Sequence, residues 1–138
     1  MPLWPDCGRI NIIWRSSTDF PTPGGQTLVI PKKHLQSYLF DLDAEEISGI
    51  MLASGKVSRM LERGLGVKRV HLVFEGLGIN HLHAKLYPAF GLKSKFESIH
   101  SSEMISFEAY PGYVTTLLGP PADMKLLEDL AAEIRDAA

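Results

Sequence analysis

His81, His83 and Lys85 stand at every second position of one short segment, with Leu82, Ala84 and Leu86 between them. In a β-strand successive side chains alternate between faces, so the three nitrogen-bearing groups would project to one side of a rigid platform. A row of this kind suits an anion, phosphate above all, and its middle histidine can serve as a nucleophile. Two other readings fit the same residues. His81 and His83, two apart on a strand, have the donor spacing of zinc ligands. Lys85 would then set a cation beside the metal, and no spacing marks a third ligand among His34, His71, His100 or the carboxylates. The pair can also be plain strand surface.

The elements that would carry this row are legible around it. Asn80 to Tyr87 reads as one strand and Arg69 to Glu75 as another, with Val70, Leu72 and Phe74 on one face and Gly76-Leu77-Gly78 as the turn between them. So short a connection makes the two strands antiparallel neighbours. Ile10 to Trp14 is a β-branched and aromatic first strand, and Gln26 to Ile30 a second, closed by Pro31. The loop Ser16 to Gly25 separates them, and His34 to Phe40 reads as a short helical turn. Asp43 caps a helix, with Glu46 at capping-box spacing. Ile47, Ile50, Met51, Val57, Met60, Leu61 and Leu65 follow at helical spacing until Gly64 and Gly66 end it. Ala89 to Glu108 is a long loop, Tyr113 to Leu118 a fifth strand, and Ala122 to Ala137 a last helix using Leu126, Leu127, Leu130 and Ile134. The order β-β-α-β-β-β-α does not alternate strand and helix. It predicts an α+β fold, an antiparallel sheet of about five strands with two main helices on one face and the histidine row on the other.

Composition narrows the functional classes. A chain of 138 residues, 45% hydrophobic and 22% charged, is expected to form a single domain over 1–138. Its net charge of -2 lacks the basic surplus of a nucleic-acid binder. One cysteine, Cys7, excludes an intramolecular disulfide and a CxxC zinc site. No apolar run is long enough to span a membrane and no signal-peptide pattern opens the chain, so a cytoplasmic location is the expectation.

The frame around the row resembles a known family. Leu28-Val29-Ile30-Pro31-Lys32-Lys33-His34, then an amphipathic helix, a strand, a glycine turn and His-x-His, is similar to the histidine-triad superfamily of nucleotidyl hydrolases and transferases. The resemblance covers about Phe20 to Pro88. The family motif is His-x-His-x-His followed by two apolar residues. Its first histidine falls on His81, its nucleophile on His83 and its third histidine on Lys85. A Gly-His pair of the family is Gly25-Gln26 here, and the family's Gly-Gln-Ser/Thr loop is contracted to Gly76-Leu77-Gly78-Ile79-Asn80. The ribose-binding acidic residue falls near Thr18 or Asp19, with Asp19 favoured.

The resemblance implies a nucleotide-phosphate hydrolase or nucleotidyl transferase without a cofactor or a metal, and a homodimer. The substrate would be a purine nucleotide in a dinucleoside polyphosphate or nucleoside phosphoramidate. His83 would attack the α-phosphorus while its other ring nitrogen donates a hydrogen bond, for instance to a backbone carbonyl. Water would resolve the nucleotidyl-histidine intermediate. His81, Lys85, Gln26 and Asn80 would bind or support the phosphate, and Asp19, Leu28 and His34 the nucleotide. Lysine holds its charge across neutral pH but relays protons poorly there. Lys85 and Gln26 thus keep anion binding and lose titration. The alternative is a nucleotide-binding protein of the same fold with little or no catalysis.

Overall fold

The structure, a computed structural model, describes residues 10–15 and 25–137, with the backbone alone for 13–15. The chain forms two compact units, Met1–Glu97 and Ser98–Ala138.

In the first unit, strands β1 (Ile10–Arg15), β2 (Gln26–Pro31), β3 (Arg69–Val73) and β4 (Ala84–Ala89) form one antiparallel sheet in the order β1-β2-β4-β3. Helix α1 (Ala44–Leu65) packs across β2, β4 and β3. It begins where Asp43 accepts the N–H of Glu46 at 2.8 Å, satisfying one of the four donors a helix start leaves open. The carboxylate of Glu46 does not close a capping box. It takes the ammonium of Lys33 at 3.2 Å instead. The helix runs through Gly64 and stops at Gly66, which adopts the left-handed conformation at φ 68°. Its buried stripe is Ile50, Ala53, Ser54, Val57 and Leu61. Ser54 fits there because its hydroxyl donates to the carbonyl of Ile50. Met51 and Leu65, expected in the stripe, are exposed.

Those helix residues pack with Val29, Leu82, Ala84 and Leu86 into one core. Leu82, Ala84 and Leu86 are buried, while His81, His83 and Lys85 are half-buried. The period-two alternation therefore holds, and the row lies on the sheet face turned away from α1. The ladder begins at Ala84 and not at Asn80, because the residues before it are tied to other segments. His34 to Phe40 is mostly irregular, with a 3-10 turn only at Leu39–Asp41.

The second unit holds helix α2 (Met124–Asp136), capped by Asp123. Tyr113 to Leu118 is not a fifth strand. Its one pairing among the described residues is a parallel bridge from Leu118 to Met104, which the carbonyl of Leu118 reinforces by accepting the N–H of Ile105 at 2.9 Å. Among the described residues the sheet thus has four strands, and α1 is layered on it. No helix among the described residues is long and apolar enough to cross a membrane.

Leu86 is 1% exposed at the centre of the core. Leu86→Ala is expected to lower stability by about 2–5 kcal/mol. In urea unfolding the midpoint should fall while the slope stays constant.

Candidate functional site

The approach to β4 is held by the segment after β2. The carbonyl of Leu35 accepts the N–H of Leu82 at 2.8 Å, and the side-chain oxygen of Asn80 accepts the N–H of Ser37 at 3.0 Å. Gly76 has φ +71°, and a Cβ there would stand 2.9 Å from Ser37 Cβ and 3.0 Å from its carbonyl oxygen. Only glycine lets the two segments approach this closely. Asn80, expected at the phosphate, therefore uses its oxygen to hold the loop.

This strapping delivers His83 in a defined state. Its Nδ1 lies 2.7 Å from the carbonyl oxygen of His81. A carbonyl can only accept, so Nδ1 carries a proton, and the neutral tautomer this geometry selects is the one with Nε2 bare. An unprotonated imidazole nitrogen on the open face is what a nucleophile requires.

His81 has a different place from the one expected. Its Nε2 donates to the carbonyl of Pro31 at 3.0 Å, and its Nδ1 lies 3.1 Å from Nδ1 of His34. The two rings are nearly parallel, at 17°. With Nε2 protonated, a neutral His81 accepts at Nδ1 and His34 donates. Both nitrogens of His81 are thus engaged by protein groups. The ring anchors to β2 the very residue whose carbonyl fixes His83. His34 joins this brace.

Lys85 is engaged too. Its Nζ lies 2.6 Å from Oε2 of Glu75. Sequence reasoning placed Glu75 at a strand end and gave it no role. The pairing of Val73 with Lys85, the last of the β3–β4 ladder, would have pointed to it, since Glu75 lies two residues beyond Val73. Further along the same face, Gln26, 6% exposed, donates from Nε2 to the hydroxyl of Tyr87 at 3.2 Å. Tyr87 was likewise missed, although it continues the alternation of His81, His83 and Lys85. Leu28 pairs in register with Lys85, and His71 with Tyr87, so both share this face. Ile12 pairs with Val29 and packs against the core, on the face opposite Leu28. Asp19, Thr18 and Cys7, and the side chain of Trp14, lie outside the described residues.

A zinc site gains nothing from this geometry. Among the described residues no group of three histidine, cysteine or acidic side chains is arranged to hold a metal. His81 has spent both nitrogens, which leaves Nε2 of His83. A cavity of about 800 Å³ lined by Ile10, Pro31, Leu35, Ile50, Ala53 and Leu82 opens on the helix side, across the strand from the histidine row. No known protein-family model matches the chain, and no curated protein matches it.

The site can therefore offer one bare imidazole nitrogen, an ammonium held by a carboxylate, and a carboxamide–phenol pair along one strand face. Nitrogen-15 NMR of His83 at neutral pH or above is expected to show the Nδ1–H tautomer. An Nε2–H tautomer would contradict the arrangement.

Proposed function

We propose that this chain acts on the α-phosphate of a nucleotide through His83, as a hydrolase or nucleotidyl transferase of the histidine-triad type. The observation that carries the proposal is the hydrogen bond from His83 Nδ1 to the His81 carbonyl, which leaves Nε2 as the nucleophilic lone pair. The similarity of the Leu28–His34 segment and the His-x-His row to that superfamily supports it.

In this reading Nε2 attacks the α-phosphorus and a P–N bond forms. The bond to the leaving group breaks, and its electron pair departs with that group. Positive charge develops on the ring, and the His81 carbonyl stabilises it through the Nδ1–H it already accepts. Water then attacks the phosphorus, the P–N electrons return to Nε2 and a proton goes to solvent. Lys85 lies two positions along the strand, where its ammonium can face an equatorial oxygen. Gln26 and Tyr87 follow two residues further on. Leu28, beside Lys85 on β2, offers apolar surface to a purine. Asp19 is kept as the proposed ribose contact. His81 and His34 act through position: they hold the carbonyl that orients His83. The same resemblance supports a histidine-triad-like fold and a homodimer as parts of the proposal.

A second reading is nucleotide binding with little or no turnover. It is favoured by the ion pair that holds Lys85 and by the hydrogen bond that holds Gln26.

His83→Ala is expected to slow hydrolysis of a diadenosine polyphosphate or an adenosine phosphoramidate by roughly a thousandfold or more, as removal of a covalent nucleophile does elsewhere. Unchanged turnover would remove His83 from the chemistry. A wild type that binds AMP yet forms no nucleotidyl adduct by intact-mass spectrometry, and turns over neither substrate, would establish the second reading.

A further inference from the structure

The ion pair beside His83 is unusually well placed for a pair on a sheet face. Lys85 and Glu75 have side chains only 23% and 13% exposed. Oε1 of Glu75 accepts the N–H of Leu77 at 3.3 Å while Oε2 takes the ammonium. The carboxylate is thus held at both oxygens, one by the loop backbone and one by the cation. Val73 pairs with Lys85 at the end of the β3–β4 ladder, and Glu75 lies two residues beyond Val73.

We infer that Glu75 is a specificity-determining residue of this site: by setting a carboxylate against Lys85 it lowers the positive potential that the ammonium offers, so that a phosphorus bearing one negative charge is accepted over a terminal phosphate bearing two. The inference rests on the nucleotide reading above. Moving an anion from water into a partly buried site carries a desolvation cost that rises steeply with its charge. A lone ammonium would offset that cost more for a dianion than for a monoanion. The carboxylate of Glu75 repels the anion that the ammonium of Lys85 attracts, and repels a dianion more than a monoanion. The favoured ligand class is a phosphorus with two substituents, one the 5′-oxygen of the nucleoside and the other a leaving oxygen or nitrogen. Hydrolysis replaces the second substituent with an ionisable oxygen. The product then carries the disfavoured second charge, and Glu75 promotes its release.

The test is calorimetric titration with AMP and with its methyl ester. At about pH 8 AMP is a dianion, since its second ionisation lies near about 6. The ester is a monoanion whose methoxide is too poor a leaving group for turnover. Wild type is expected to bind the ester more tightly. Glu75→Gln should reverse the order, with AMP gaining roughly tenfold relative to the ester. In a Lys85→Met background the same Glu75→Gln change should leave selectivity unaltered, which separates action through Lys85 from a general structural effect. A wild type that prefers AMP overturns the role of Glu75, and that comparison requires no variant to fold. The role is equally overturned by a Glu75→Gln effect that is the same for both ligands, or that persists without Lys85. In each of those outcomes nucleotide binding stands. Binding of neither ligand by folded wild type overturns the nucleotide reading itself, and this inference with it.

Discussion

The hydrogen bond between Nδ1 of His83 and the carbonyl of His81 spans two residues, yet much of the first unit serves to hold its two ends in place. A carbonyl preceding a strand is free to rotate unless its peptide is fixed. Here it is fixed from one side by the ring of His81, bonded to Pro31 and to His34. Leu82 fixes it from the other, through its buried side chain and the hydrogen bond its N–H donates to the carbonyl of Leu35. The sheet supplies the platform and α1 presses it from behind. Orienting one imidazole therefore draws on β2, on the chain after it and on the core.

Two parts of the site were readable in the residues for simple reasons. The alternation of His81, His83 and Lys85 against Leu82, Ala84 and Leu86 follows from the two-residue period of extended chain, which needs no knowledge of partners. Helix α1 was readable because its cap, its apolar spacing and its terminating glycine agree. What escaped was set by distant partners. Whether His81 faces a ligand or a carbonyl depends on Pro31, 50 residues away in the chain. The part played by Glu75 depends on the register of a hairpin whose turn sequence does not fix it. Tyr113 to Leu118 has residues suited to a strand, but a strand requires a neighbour, and composition does not name one.

The distribution of charge on the open face also differs from what residue types imply. Three nitrogen side chains in a row suggest an electropositive patch. In the folded chain one of the three is a hydrogen-bonded brace, one is a ring with Nδ1 bonded to a carbonyl, and the third is an ammonium paired with a carboxylate. The face is polar and directional. Recognition there would depend on the geometry of donors and acceptors more than on long-range attraction.

The straps between the chain after β2 and the chain before β4 have a consequence for how this unit folds. Every bond in them closes a long loop: 47 residues for His34 to His81, 43 for Ser37 to Asn80 and 50 for Pro31 to His81. Contacts of such high sequence separation form only after much chain entropy has been lost. The helix and the β3–β4 hairpin, being local, can organise first and bring those ends together. His83 then acquires its fixed orientation as one of the last events, so newly made chains would have a helix and a hairpin before this ring is held in place.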